Sequence, residues 1–167
     1  MRTSLFIFTL VVLDLVSKTW AWQFYGQPVE VIGSILSIAP VHNPGTAFGL
    51  AATMTEQLVI ARIFAVMLFS VLLIRHRDYD LRVRGVYSLG LAGGIGNLYD
   101  NLTRYLPVEG NGQVRDFISV DFGIMGLNPY PTFNVADVYL VLAILGLAFV
   151  KNQFQNGPLP SHADNAR

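Results

Sequence analysis

The sequence predicts an all-α membrane protein with a small β element, built on four transmembrane helices with both termini in the cytoplasm. Three observations predict it. The 167-residue chain is 53% hydrophobic and 13% charged, with a mean hydropathy of +0.48; that charged share is about half that of an ordinary soluble domain. Four apolar runs, each long enough to cross a bilayer as a helix, alternate with polar stretches rich in turn residues. Finally, the basic residues are unevenly spread. Arg75, Arg77, Arg82 and Arg84 crowd the connector after the second run, whereas no Lys or Arg lies between residues 24 and 61. By the positive-inside rule the connector is cytoplasmic and the first loop is outside.

The same composition excludes several classes of function. The length allows one domain. A formal net charge of zero gives no electrostatic footprint for nucleic acid. The absence of cysteine rules out disulfides, thiol catalysis and Cys-based metal sites. His42, His76 and His162 are too far apart in sequence to suggest a metal-ligand pattern.

The first run, residues 5–22, continues into Trp20, Trp22, Phe24 and Tyr25, an interfacial aromatic belt rather than a small-residue cleavage site. It therefore reads as an uncleaved membrane helix, with boundaries at about 4–24. Within it Asp14 and Lys18 are four residues apart with the acid first, the better order for an intrahelical ion pair. Residues 29–38 alternate imperfectly and read as strand or hairpin, and Asn43-Pro44-Gly45 signals a turn. The second helix is expected at about 58–75, with Arg62 near its start snorkelling to the interface. The third, about 86–106, carries Gly90, Gly93, Gly94 and Gly96, a small-residue face that admits a close neighbour. In it Asn97 and Asp100 share a face. The second outer loop, 107–132, holds a possible strand at 114–122. The fourth helix, about 133–151, repeats the N-x-x-D spacing in Asn134 and Asp137. Residues 1–151 form one integral membrane domain on this reading, with outer loops at 25–57 and 107–132, and residues 152–167 form a flexible cytoplasmic tail.

Topology then sets the depth of the charges. Asp100 and Asp137 fall within roughly 6–9 Å of the outer interface, Lys18 at about the same depth, and Asp14 about one turn deeper. Asp116 arrives from the outer loop. Ionisable groups in a membrane are costly and mark function by default. Two carboxylates brought together cannot both ionise; one becomes an acid and the other a base. That is the chemistry of an aspartic protease.

The motifs that carry these residues resemble, in order, those of bacterial lipoprotein signal peptidases, the type II signal peptidases. L-D-L-V-S-K holds Asp14 and Lys18. H-N-P-G-T-A-F holds Asn43. G-G-I-G-N-L-Y-D holds Gly93, Asn97 and Asp100, V-R-D-F-I holds Asp116, and F-N-V-A-D holds Asn134, Ala136 and Asp137. The resemblance spans roughly residues 8–150. It implies an aspartic endopeptidase that cuts diacylglyceryl-modified prolipoproteins just before the lipidated cysteine. Asp116 and Asp137 would be its catalytic pair, and Asp14, Lys18, Asn43, Gly93, Asn97, Asp100, Asn134 and Ala136 would bind substrate or support the site. It also implies a small extracytoplasmic sheet and an interfacial, lid-like segment at 47–57 over the outer leaflet. The enzyme would act as a multi-pass monomer of the bacterial inner membrane, in contact with membrane lipids and active near the extracytoplasmic face. No metal or organic cofactor is implied, and cyclic-peptide inhibitors such as globomycin should bind at the aspartate pair. Three positions depart from the family. Asn101 stands where an arginine is usual, Arg115 where an apolar residue is common, and the 107–113 stretch is long. Arg104, four residues after Asp100, is expected on the same helix face, replacing the missing arginine.

Two other classes fit less well. A small ion- or proton-coupled transporter would need polar groups through the full bilayer depth, whereas the inner halves of the helices are nearly all apolar. A serine–lysine signal peptidase would need a free lysine outside, but Lys18 has Asp14 as a partner and Lys151 is on the inside.

Overall fold

The structure is a computed structural model and describes residues 2–44, 55–106, 108, 110–121, 123 and 132–155. Among the described residues four long helices dominate: α1 (Arg2–Ala21), α2 (Thr55–Arg75), α3 (Leu81–Leu102) and α4 (Val135–Gln155). Three strands form one antiparallel sheet in chain order: β1 (Val29–Ile32), β2 (Leu36–Asn43) and β3 (Val114–Val120). A 3₁₀ turn, Trp22–Phe24, follows α1. Among the described residues, Arg2–Phe24 and Glu56–Arg75 are long and apolar enough to cross a membrane, and Val135–Phe149 is a shorter apolar stretch.

The helix ends differ from the sequence expectation for identifiable reasons. α3 begins at Leu81 rather than near 86, because the Asp80 side chain accepts from the backbone N–H of Arg82 at 2.7 Å and caps the helix there. It stops at Leu102 rather than near 106. There Thr103 is the C-cap: its N–H donates to the Tyr99 and Asp100 carbonyls, and its Oγ1 donates to the Asp100 carbonyl at 2.6 Å. α4 runs to Gln155, into what the sequence suggested was tail. Of the expected lid-like segment, residues 47–54 lie outside the described residues, and residues 55–57 form the first turn of α2.

α3 is the central element and packs against α1, α2 and α4. Its glycines make the close approaches possible. A Cβ on Gly90 would collide with the Phe69 ring of α2, and one on Gly93 would stand 2.6 Å from the Ala136 carbonyl oxygen of α4. A Cβ on Gly96 would strike the Asp14 carboxylate of α1. Being enclosed, α3 does not need the uniformly apolar surface of a lipid-facing helix, and it buries Ser88, Asn97, Asp100 and Asn101. The opposite faces of its neighbours are apolar and exposed: Leu5, Phe8 and Val16 on α1, Phe64, Leu68 and Ile74 on α2, Ile144 and Phe149 on α4. Exposed apolar faces of this kind mark contact with a membrane or a partner protein.

Gly96→Ala is therefore expected to destabilise the bundle by about 1–3 kcal/mol through overpacking. Gly85 lies on the same helix with open space at its Cβ position, so Gly85→Ala should leave the melting temperature unchanged or raise it slightly. Thermal unfolding in detergent distinguishes the two; equal melting temperatures would remove the packing role assigned to Gly96.

Candidate active site

Asp116 sits in the middle of β3, and its position depends on an irregularity in the sheet. In β2, Ile38 pairs with Ile118, but Val41 pairs with Asp116. One extra residue has been absorbed by β2 between these pairs, where Ala39 and Pro40 lie. Proline cannot donate to a ladder and is found in sheets at such bulges. The shift of one residue reverses which side chains face each way. Asn43 consequently pairs with Val114 and lies on the same face as Asp116. Its amide Nδ2 donates to Asp116 Oδ2 at 2.6 Å.

β3 also holds the start of α4. Phe133 exchanges backbone hydrogen bonds with Ile118, at 2.8 and 3.0 Å. The next residue, Asn134, caps α4 reciprocally with Asp137. Asn134 Oδ1 accepts from the Asp137 N–H at 3.0 Å, and Asp137 Oδ2 accepts from the Asn134 N–H at 3.0 Å. This is a capping box, with aspartate in the place usually taken by glutamate or glutamine. The N-x-x-D spacing thus has a local structural cause as well as a place in the site. Asn134 Nδ2 reaches across to Asp116 Oδ1 at 2.6 Å. One asparagine therefore ties the carboxylates of Asp116 and Asp137 together.

Asn97 on α3 completes the tie. Its Oδ1 accepts from Asn134 Nδ2 and from Lys18 Nζ, both at 3.1 Å, and its Nδ2 donates to Asp137 Oδ1 at 2.8 Å. Each of the four carboxylate oxygens of Asp116 and Asp137 thereby accepts from one neutral N–H donor. Asp116 is buried, whereas Asp137 is only partly so. Burial pushes the Asp116 carboxyl up to about 7, and the Asp137 charge pushes the same way; the Asn43 and Asn134 hydrogen bonds and the Lys18 charge oppose them.

Beside this pair runs a linear chain of charges, Asp14–Lys18–Asp100–Arg115. Lys18 is fully buried and meets Asp14 Oδ2 at 2.8 Å and Asp100 Oδ2 at 3.1 Å. Asp14 Oδ1 accepts from the Ala136 N–H at 2.8 Å, so α1 supplies an acceptor to the first turn of α4. Ala136 is wholly buried against the α3 glycines, where a larger side chain has no room. Arg115 holds Asp100 from the other side: Nε and Nη2 donate to Asp100 Oδ1 at 3.0 and 2.8 Å, and its backbone N–H donates to Oδ2 at 3.1 Å.

Of the residues singled out in the sequence, Asp14, Lys18, Asn43, Gly93, Asn97, Asp100, Asp116, Asn134, Ala136 and Asp137 lie in or directly against this network. Arg104 does not, and the expectation that it replaces a missing arginine beside Asp100 is corrected. α3 ends before Arg104, so the residue shares no helix face with Asp100. It is exposed and packs over Gly112. Arg115 takes the place beside Asp100 instead. The reading of Arg62 as a snorkelling surface residue is corrected too. It is partly buried, and its Nη1 donates to Asn101 Oδ1 at 2.5 Å, while Asn101 Nδ2 donates to the Gly112 carbonyl at 2.8 Å. No cluster of His, Cys, Asp or Glu able to hold a metal ion occurs among the described residues.

The fold and site define a membrane protein in which four helices and a small sheet bring two carboxylates together over a buried charge chain. The chain belongs to the signal peptidase (SPase) II family, whose sequence profile it matches over residues 6–151. It is 35% identical over 150 residues to the lipoprotein signal peptidase of Borrelia hermsii, covering 84% of this chain and 83% of that protein. It is 36% identical over 148 residues to that of Treponema denticola, covering 83% and 81%. Among solved structures, it superposes on a bacterial membrane enzyme determined by the in meso method at 2.3 Å resolution with a TM-score of 0.73. The identity there is 25%, covering 96% of this chain and 93% of that one.

Proposed function

We propose that this protein is an intramembrane aspartic endopeptidase that removes the signal peptide from diacylglyceryl-modified prolipoproteins, cutting just N-terminal to the lipidated cysteine. The observation that carries the reading is the Asn134 bridge between Asp116 and Asp137. Asp137, in the first turn of α4 and partly exposed, takes the role of the base. Asp116, buried and raised to about 7, is favoured as the protonated member.

In this mechanism the Asp137 carboxylate takes a proton from water as the water oxygen attacks the scissile carbonyl. Asp116 gives its proton to the carbonyl oxygen, so the tetrahedral intermediate forms as a neutral diol. On collapse, the proton held by Asp137 passes to the leaving amine and Asp116 recovers one from the diol hydroxyl. The pair returns to its starting state without any other cofactor. Asn97 and Asn134, bonded to these oxygens, keep the two carboxyls oriented throughout.

Four membrane spans with both termini cytoplasmic put the aspartate pair near the extracytoplasmic face of the inner membrane, where a translocated lipoprotein precursor is met. Reporter fusions at Tyr79 and at the C-terminus should then read as cytoplasmic, and fusions at Ser34 and Gly112 as external. The warrant is the four arginines between Arg75 and Arg84 against none in the first loop. An external Tyr79 fusion would reverse the orientation of the site.

The activity itself is tested with purified protein in detergent, given a precursor with and without its diacylglyceryl group. Cleavage of the lipidated form alone is expected. Equal cleavage of both would sink the assigned substrate class, and cleavage of neither would sink the activity.

A further inference from the structure

Arg62 is the only charged residue of α2 between Glu56 and Arg75, on a helix otherwise built of apolar side chains. An arginine in such a helix reaches outward to the interface unless something inside holds it. Here it turns inward and donates to Asn101 Oδ1, and Asn101 is itself buried and fixed by its bond to the Gly112 carbonyl. Asn101 stands one turn beyond Asn97 on the same face of α3, and Asn97 Nδ2 donates to Asp137 Oδ1 at 2.8 Å, so the guanidinium sits on the side of α3 that faces the aspartate pair, where its charge and theirs attract.

The charges around the aspartate pair explain what it does there. α1 contributes Asp14 and Lys18, α3 contributes Asp100, β3 contributes Arg115 and Asp116, and α4 contributes Asp137. Asp14, Lys18, Asp100 and Arg115 form the linear chain described above, two carboxylates alternating with two cations in direct contact. That chain is neutral by itself. Asp116 and Asp137 receive only neutral amide donors, and with one shared proton they carry a single negative charge. Lys18 is within range, but its charge is already engaged by two carboxylates. Among the described residues Arg62 is the remaining partly buried cation beside Asn101; Glu56 and Arg104, which border the same cavity, are exposed.

We propose that Arg62 is the counter-charge of the Asp116–Asp137 pair, a positioning residue that Asn101 holds in place. It touches neither reacting carboxylate through a hydrogen bond; it sets the potential in which they share a proton. This inference rests on the aspartic-peptidase reading above and gives α2 a part in it.

The test is the pH dependence of kcat and KM for cleavage by the full-length protein in detergent. Wild type, Arg62→Lys, Arg62→Gln and Asn101→Leu are compared. Removing a positive charge makes both protons of the pair bind more tightly. Arg62→Gln should therefore move the acid and alkaline limbs upward together by about one pH unit, lowering kcat more than it raises KM. Arg62→Lys keeps the charge and should return both limbs towards their wild-type positions. Asn101→Leu keeps the charge but frees it, and should move the limbs part of the way. Limbs that stay fixed in Arg62→Gln, or that move equally in Arg62→Lys, would overturn the proposal.

A titration of the carboxyl ¹³C resonances in protein labelled at aspartate reads the same charge without substrate. The upward shift is expected there too, in Arg62→Gln or, should that variant not fold, in Asn101→Leu; unshifted resonances overturn the proposal. Failure of wild type to cleave would count against the peptidase reading alone.

Discussion

Asp116→Asn and Asp137→Asn are each expected to lower cleavage of the lipidated precursor by about 10²–10⁴-fold, the range that a positioned general acid or base contributes. An amide fills the space of the carboxyl but neither takes the proton from water nor gives one to the carbonyl oxygen. Both variants should remain folded. Asn134 still caps α4, and an amide oxygen at either position still accepts one of the two bonds that the carboxylate accepted. Near-normal turnover in either variant would remove the pair from the mechanism. The pH profile adds a second check. With Asp116 pushed up to about 7, the shared proton is lost as pH rises through about 7, and activity should fall on that side. Stability carries the same sign. The folded protein binds this proton more tightly than an unfolded carboxyl of pKa 3.8, so the resulting stabilisation is complete below about 4 and is lost as pH rises through 7. Asp116→Asn has no such proton. Its melting temperature relative to wild type should therefore rise between pH 5 and pH 8, and a constant difference would contradict the raised pKa.

What the sequence displayed and what it concealed divide along a physical line. Periodicity and length display helices, and depth along each helix follows from counting residues. That is why residue counting brings Lys18, Asp100 and Asp137 to one level. The N-x-x-D pairs were visible as well, although their role as a helix cap at Asn134 and Asp137 was not. Contacts between elements were hidden. The sequence shows Asn101 in place of an expected arginine, and spacing predicts neighbours of Asp100 only along its own helix, which points to Arg104. The replacement at Asp100 came instead from a strand, through Arg115, and the guanidinium near Asn101 came from another helix, through Arg62. Neither distance can be read from spacing. The bulge at Ala39–Pro40 was hidden for a related reason. Pro40 announces an irregularity, but which partner residues it brings into register is decided by β3, more than seventy residues away.

Lys18→Met is expected to be the most damaging substitution outside the aspartate pair. Lys18 and Asp14 are fully buried, and Asp100 nearly so. Methionine is close to lysine in volume, so packing survives, but the charge does not. Asp14 and Asp100 would then face one another in a water-poor interior with only Arg115 to balance them. Removing one partner of a buried ion pair costs about 3–5 kcal/mol, because the remaining charge is left uncompensated. The Asp14→Asn change separates this cost from a simple loss of contacts. An amide oxygen at position 14 still accepts from the Ala136 N–H, and neutralising Asp14 leaves Asp100 paired with Arg115. The double variant Lys18→Met with Asp14→Asn should therefore be more stable than Lys18→Met alone, recovering about 1–3 kcal/mol as a coupling between neighbouring sites. Activity should not return with stability. Asn97 Oδ1 loses its Lys18 donor in both variants, and Asn97 is what holds Asp137 Oδ1. Unfolding of the four proteins in detergent closes the cycle. A double variant no more stable than Lys18→Met would mean that buried charge is not what makes Lys18 necessary.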